Sequence, residues 1–358
     1  MRPSHSSAVR GAVQGLRGLA ALAVALAAFT APACAQKLTG AGATFPYPIY
    51  SKWFDTYKAK TGVEINYQSI GSGAGIQQVK AGTVDFGASD AALSNAQLKD
   101  MPRKVVHIPT VGGAVALAYN LPGVSTLRLT PEAIVGIYMG KITMWNDKSI
   151  AAANPGVALP GTPILPVHRS DGSGTTNIFV TYMSSVSSQW KELVGVGTSV
   201  SWPSGVGGKG NDGVAGVVKQ TAGAIGYVEL AYAQHNDLSV AQVKNRQGNF
   251  IEPSVQSTTA AVEAAADRLA KDVRTPIVNS AGATAYPISG LTFLIVYQDQ
   301  KDPAKAKALV DFISWAMGEG QSYADDLLYA KLPDAVIKVN RATLATLTSN
   351  GKKLLAAN

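Results

Sequence analysis

The chain has 358 residues, of which 46% are hydrophobic and 15% charged, enough for packed cores in two lobes and incompatible with a disordered chain. Its net charge of +8 comes from scattered lysines and arginines, without the basic stripe and interleaved aromatics of a nucleic-acid binder. One cysteine excludes an internal disulfide framework and any thiolate metal cluster.

The first predicted segment, residues 1–35, reads as a signal peptide. Arg2, Arg10 and Arg17 form its positive region, Leu19–Phe29 its apolar stretch, and Ala33-Cys34-Ala35 an Ala-x-Ala cleavage site before Gln36. The apolar stretch is short for a bilayer, and no other run reaches the roughly 18 apolar residues of a spanning helix. Cleavage there leaves an exported, soluble chain without cysteine, its net charge reduced by three arginines from +8 to +5. The alternative is a lipoprotein acylated at Cys34, although Ala31-Pro32-Ala33 lacks the usual Leu of a lipobox and contains Pro.

From Lys37 onward short apolar strands alternate with amphipathic helices, the pattern of an α/β protein. Lys37-Leu38-Thr39 leads into Gly40-Ala41-Gly42, and Pro46–Lys60 carries Ile49, Trp53, Phe54 and Tyr57 at helical spacing. Glu64–Ile70 leads into Gly71-Ser72-Gly73. Asp85 and Asp90 bracket Phe86-Gly87-Ala88-Ser89, either as turn caps or as carboxylates at a strand end facing a cleft. Val105–Pro109 and Ala114–Tyr119 read as two strands. Pro131–Met139 reads as a helix with Thr130 as N-cap and Pro at its first position. Thr162–Val167 enters His168-Arg169-Ser170-Asp171-Gly172-Ser173-Gly174-Thr175-Thr176-Asn177, and Ile178–Met183 leaves it as a helix. Leu291–Tyr297 is a continuous apolar strand, and Asp302-Pro303 opens a helix through Met317. Strand-like crossings between lobes are expected near Val111–Gly113 and Asn279–Ala285.

The decapeptide 168–177 concentrates an arginine, a carboxylate, two glycines and several hydroxyls between a strand and a helix N-terminus. Backbone N–H groups there lack intrahelical partners and the helix dipole favours negative charge, so the loop is an anion cradle. Strand, Gly-small-Gly, helix occurs three times, at Gly40–Gly42, Gly71–Gly73 and Gly172–Gly174, which a lone Gly-rich turn would not justify. Gly205–Gly210 matches Gly-x-Gly-x-x-Gly, but no strand is expected before it and no acidic residue follows in a βαβ frame, which argues against a dinucleotide site. Gly210 stands where a P-loop needs Ser or Thr. Ser72 and Ser173 are possible nucleophiles without an evident base. His5 falls in the signal segment; His107 and His168 suit structural roles, His235 a polar turn, and none pairs at metal-ligand spacing. The sequence therefore carries no catalytic set, no metal site and no cofactor motif.

Taken together the loops resemble the periplasmic phosphate-binding proteins of bacterial ABC-type phosphate uptake systems, from about Leu38 to Leu332-Pro333-Asp334. The resemblance rests on Thr39–Pro46, Val84–Asp90, Arg169-x-Asp171-Gly172-Ser173-Gly174-Thr175, Gly207–Gly213 and Gly223–Glu229. It implies a two-lobed α/β periplasmic binding fold (Venus flytrap, type II) with the anion buried in the inter-lobe cleft. It implies residues 36–110 plus 282–358 as lobe 1 and 111–281 as lobe 2. It further implies a non-enzymatic, monomeric receptor in the periplasm that hands inorganic phosphate, mono- or dibasic, to the membrane permease and ATPase subunits of an importer. Carried over by motif, Thr44 and the Phe45 N–H, Ser72, Ser173, Gly174 and Thr175 bind phosphate. Arg169 is the cationic contact, held by Asp171, and Asp90 accepts a ligand hydrogen. Gly73 departs from a second Ser common among relatives, and Ser170 from a commoner Ala.

The residue chemistry points the same way. The three loops hold one arginine and no lysine, so binding rests on neutral N–H and O–H donors plus helix ends. Asp90 facing an anion is repulsive unless a proton lies between them, which phosphate carries near neutral pH and sulfate does not. Two other classes compete: a secreted phosphatase using Ser72 or Ser173, and a receptor for another oxyanion such as molybdate, or an adhesin on the same scaffold.

Overall fold

The computed structural model describes residues 37–355; the signal-peptide and Cys34 readings lie outside the described residues. The elements that position the cleft are β1 (Lys37–Gly42), α1 (Tyr47–Thr61), β2 (Glu64–Ser69), α2 (Ser72–Ala81), β3 (Phe86–Ser89) and β4 (Val105–Tyr119). They continue with β5 (Leu165–Arg169), α3 (Gly174–Val186), β6 (Val206–Gly208), α4 (Gly210–Gln220), β7 (Ala224–Glu229), β8 (Ser289–Tyr297) and α5 (Pro303–Ala316). Among the described residues these strands form a nine-stranded sheet in the order β2-β1-β3-β8-β4-β7-β5-β6, with Ser239–Val240 added beside β4.

One strand serves both halves. The N-terminal part of β4 pairs antiparallel with β8, and Val115–Tyr119 pairs antiparallel with β7. On the first side β1 runs parallel to β2 and β3; on the second, β5 runs parallel to β6 and β7. The two strands expected at Val105–Pro109 and Ala114–Tyr119 are thus one 15-residue strand, buried along its length except at Val106. A run apolar on both faces is what a doubly covered strand requires. The expected crossing at Asn279–Ala285 is instead a series of turns and bends, and the second crossing strand is β8.

A β-bulge marks the crossing. Thr292 opposes Val111 and Phe293 opposes Pro109, leaving Thr110 unpaired in the ladder. Its polar groups are satisfied sideways: its carbonyl accepts from Gln321 Nε2 at 2.9 Å, and its hydroxyl meets Tyr50 OH at 2.9 Å. Pro109, which has no N–H to offer a ladder, sits beside the bulge.

Each side has its own aromatic core. Phe54 and Tyr57 of α1 pack on Phe312 of α5, while Tyr138, Phe179, Trp202 and Tyr227 form a second cluster. Fully burying one such ring contributes about 2–3 kcal/mol. The expected caps form: Asp302 accepts from Ala304 N and Lys305 N with Pro303 at the first position, and Thr130 accepts from Ala133 N ahead of the helix Pro131–Tyr138.

Candidate functional site

Five chain segments converge where the two halves meet, one of them, at the end of β3, carrying Asp90. The first follows β1. Gly40 and Gly42 lie inside this strand and not in a loop as expected, because β1 is packed too tightly for side chains: a Cβ at Gly40 would strike the Phe86 ring, and one at Gly42 the backbone of Ala88. The turn proper is Ala43–Pro46, which carries Thr44 and Phe45, both buried. Thr44 O accepts from Tyr232 OH and Phe45 O from Tyr329 OH, each at 2.6 Å. The Phe45 ring lies against Gly113 of β4, where a Cβ would collide with it.

The second segment turns through Gly71, whose φ of 93° suits glycine, and places Ser72 as the first residue of α2. The third starts α3 four residues earlier than the apolar run at Ile178 suggests, because Ser173 is its N-cap and accepts from Thr176 N at 3.0 Å. Its hydroxyl hydrogen stays available for donation. The fourth segment corrects the reading of Gly205–Gly210: β6 lies within that run, and α4 starts at Gly210, N-capped by Lys209, whose side chain is exposed. Three helix N-termini, those of α2, α3 and α4, therefore face one cleft, each adding partial positive charge.

The halves touch directly. Gly174 N donates to Ser72 Oγ at 3.0 Å, Gly73 N to Gly172 O at 2.8 Å, and Asn211 Nδ2 to Thr44 Oγ1 at 2.7 Å. A Cβ at Gly73 would sit 3.0 Å from Gly172 Cα, so the glycine there lets the second and third loops close on each other.

Arg169 ends β5 with its side chain buried, and its guanidinium is bidentate on Asp171, Nε to Oδ1 at 2.7 Å and Nη2 to Oδ2 at 2.6 Å. Nη1 donates to Thr175 Oγ1 at 3.3 Å. Two of its five N–H groups remain for a ligand. Gly210 N also donates to Asp171 at 3.0 Å. Burial alone would raise the Asp171 carboxyl; the Arg169 pair and the Gly210 N–H outweigh it and hold Asp171 below the usual carboxylate range. This pair orients the guanidinium.

Asp90 follows β3 and is 5% exposed. Its backbone N–H donates to Ser72 Oγ at 3.3 Å, Oδ2 lies 3.4 Å from the same hydroxyl, and buried Oδ1 has no partner. Burial pushes this carboxyl up to about 7, against the pull of the neighbouring Thr292 hydroxyl, of Arg169 and of Ser72. All nine sequence-predicted positions, Thr44, Phe45, Ser72, Asp90, Arg169, Asp171, Ser173, Gly174 and Thr175, thus lie on the segments lining this one cleft.

Other polar residues belong elsewhere. Asp85 accepts from Thr39 and pairs with Lys305. His107 accepts from Leu93 N, and burial lowers it to about 4. His168 stacks on Trp202. Among the described residues no group of three or more His, Cys, Asp or Glu side chains converges as metal ligands.

Three cleft residues escaped the sequence reading. Asn211 is fully buried between Thr44 and Thr175. Glu229 is a buried carboxylate that accepts from Ala231 N and Tyr329 OH; burial, with the charge of Asp90 added, holds it well above the usual range. Tyr232 ties the first turn to the opposite half. Asn211 was visible only as a polar residue in a glycine run, and Glu229 only as the acid ending an apolar strand.

Comparison with known proteins gives the same architecture. Residues 27–319 match the model of the PBP superfamily domain. The chain is 47% identical over 304 residues to the phosphate-binding protein PstS of Xylella fastidiosa, covering 84% of this chain and 83% of that protein. It is 43% identical over 337 residues to the PstS of Pasteurella multocida, covering 93% and 97%. Its fold matches the high-affinity periplasmic phosphate-binding protein PfluDING, solved with phosphate bound, at a TM-score of 0.70 and 24% identity over 86% of this chain and 93% of that one.

Proposed function

Because the chain belongs to the phosphate-binding protein family of the PBP superfamily, we propose that it binds inorganic phosphate in this cleft and delivers it to the permease and ATPase subunits of an ABC phosphate importer. The observation that carries the reading is the contrast inside the cleft. Donors line it: Arg169, the hydroxyls of Thr44, Ser173 and Thr175, and the Phe45 N–H, while the Gly174 N–H is engaged by Ser72 and the Ser72 hydroxyl by Asp90. Two buried carboxylates, Asp90 and Glu229, each keep an unpartnered oxygen; Glu229 is tied to Ala231 N and Tyr329 OH, whereas Asp90 lies against Ser72 and Gly174 and is the one placed to accept from the ligand. Phosphate near neutral pH offers unprotonated oxygens to the donors and one hydrogen to Asp90, whereas sulfate offers no hydrogen.

Residues 36–110 plus 282–358 form the first lobe in this reading and 111–281 the second, with the crossing strands as hinge and the segment 1–35 exporting the chain to the periplasm as a monomer. The site favours binding over turnover. Ser72 is engaged by Gly174 N and Asp90, Ser173 caps α3, and both His107 and His168 are committed to packing and local bonds. A colorimetric phosphate assay on purified, denatured protein tests the proposal. Close to one phosphate per chain is expected, carried through purification or regained on dialysis against phosphate. No phosphate after either treatment would contradict it.

A further inference from the structure

A hydroxyl has one hydrogen and two lone pairs. Thr44 Oγ1 accepts from Asn211 twice, from Nδ2 at 2.7 Å and from the backbone N at 3.3 Å. Thr175 Oγ1 accepts from Arg169 Nη1 and from Asn211 Nδ2, each at 3.3 Å. In both threonines the lone pairs are occupied, and what remains is the O–H. The amide of Asn211 is itself held in one orientation, because its Oδ1 accepts the backbone N–H of Glu229 at 2.9 Å. The NH2 group must therefore face the threonines, one from each half of the molecule. Ser72 differs: it accepts from Gly174 N and Asp90 N, and its own hydrogen is directed to Asp90 Oδ2 at 3.4 Å.

We propose that Asn211 is a positioning residue that fixes the polarity of the Thr44 and Thr175 hydroxyls, making both obligate donors toward the bound anion. The inference deepens the phosphate-binding reading and rests on it. With both hydroxyls so committed, a ligand oxygen next to them must be unprotonated, and a ligand hydrogen is steered to Asp90. Asn211 thereby sets which face of a partly protonated anion points where, without touching it.

The test is calorimetric titration of inorganic phosphate into the parent and Asn211→Leu, a neutral substitution of similar size, at about pH 8 and about pH 5. The monohydrogen form prevails at the first and the dihydrogen form at the second. The charged groups facing the cleft, Asp90, Arg169, Asp171 and Glu229, are common to both proteins, so their titration largely cancels in the ratio of affinities. Freed hydroxyls can accept as well as donate, so the variant should tolerate a second ligand hydrogen better than the parent does. A loss of about tenfold or more at the higher pH, narrowing at the lower, is expected. A loss of the same factor at both pH values would reduce Asn211 to a contact that merely favours closure, and a loss under about twofold at the higher pH would remove any role; either overturns the inference. Asn211→Ala, which leaves room for a water to accept the Glu229 N–H, replaces the leucine variant if that one does not fold. A parent protein that binds no phosphate would overturn the underlying reading, and this inference with it.

Discussion

Asp90 is where the chemistry of the cleft is most exposed to test. Burial pushes its carboxyl up to about 7 in the folded protein, from an ordinary 3.8. A carboxyl raised in this way contributes stability that is fully present below its unfolded value and lost as pH rises through its folded value. Asp90→Asn cannot ionise, so the ligand-free variant should melt higher than the parent at about pH 8, by roughly 2–4 °C per kcal/mol recovered, with the difference vanishing toward pH 4. Thermal melts across that range check the sign. In titrations the same variant should loosen sulfate rejection more than it weakens phosphate binding, because an amide can donate where a carboxylate cannot; continued exclusion of sulfate would count against the role of Asp90. At this scale the motifs made Thr44, Arg169 and Asp90 legible. Asn211 was not, because its importance lies in contacts with Thr44, 167 residues away in sequence, and with Glu229.

The helices and strands were more legible than their junctions. Amphipathic spacing located α1, and the Thr130 and Asp302 caps were readable from one residue type and the proline after it. The start of α3 was missed because its first turn is polar and its cap is a serine, so the apolar periodicity begins only at Ile178. β6 was missed because three residues, Val206-Gly207-Gly208, have no apolar pattern and gain strand geometry only by pairing with β5. The merger of two expected strands into β4 follows from the bulge at Thr110, which no local pattern announces. That junction yields a prediction. The Phe45 ring leaves no room for a side chain at Gly113, so Gly113→Val should displace the ring and with it the Phe45 N–H in the first turn. Overpacking of this kind costs about 1–3 kcal/mol, and the variant should both melt lower and bind phosphate more weakly. Unchanged affinity in a folded Gly113→Val protein would separate the hinge from the turn.

For the molecule as a whole, the sheet order places the two strands β4 and β8 side by side at the junction of the halves. Direct contacts across the cleft between segments of the two halves include Ser72 with Gly174, Gly73 with Gly172, Thr44 with Asn211 and Tyr232, and Tyr329 with Glu229. A ligand held by both sets favours the closed arrangement by its differential contacts there, a population shift. The alternation of strands and helices made the α/β class readable and the loop motifs, through the family they resemble, the two lobes, whereas the closeness of the Gly73–Gly172 approach needed the assembled fold. The central claim is that this closed cage reads a proton as well as a charge. Isothermal titration of phosphate and of sulfate into the same protein at neutral pH tests it most directly. Phosphate should bind more tightly than sulfate by on the order of 10⁴-fold; equal affinity for the two anions would contradict the account.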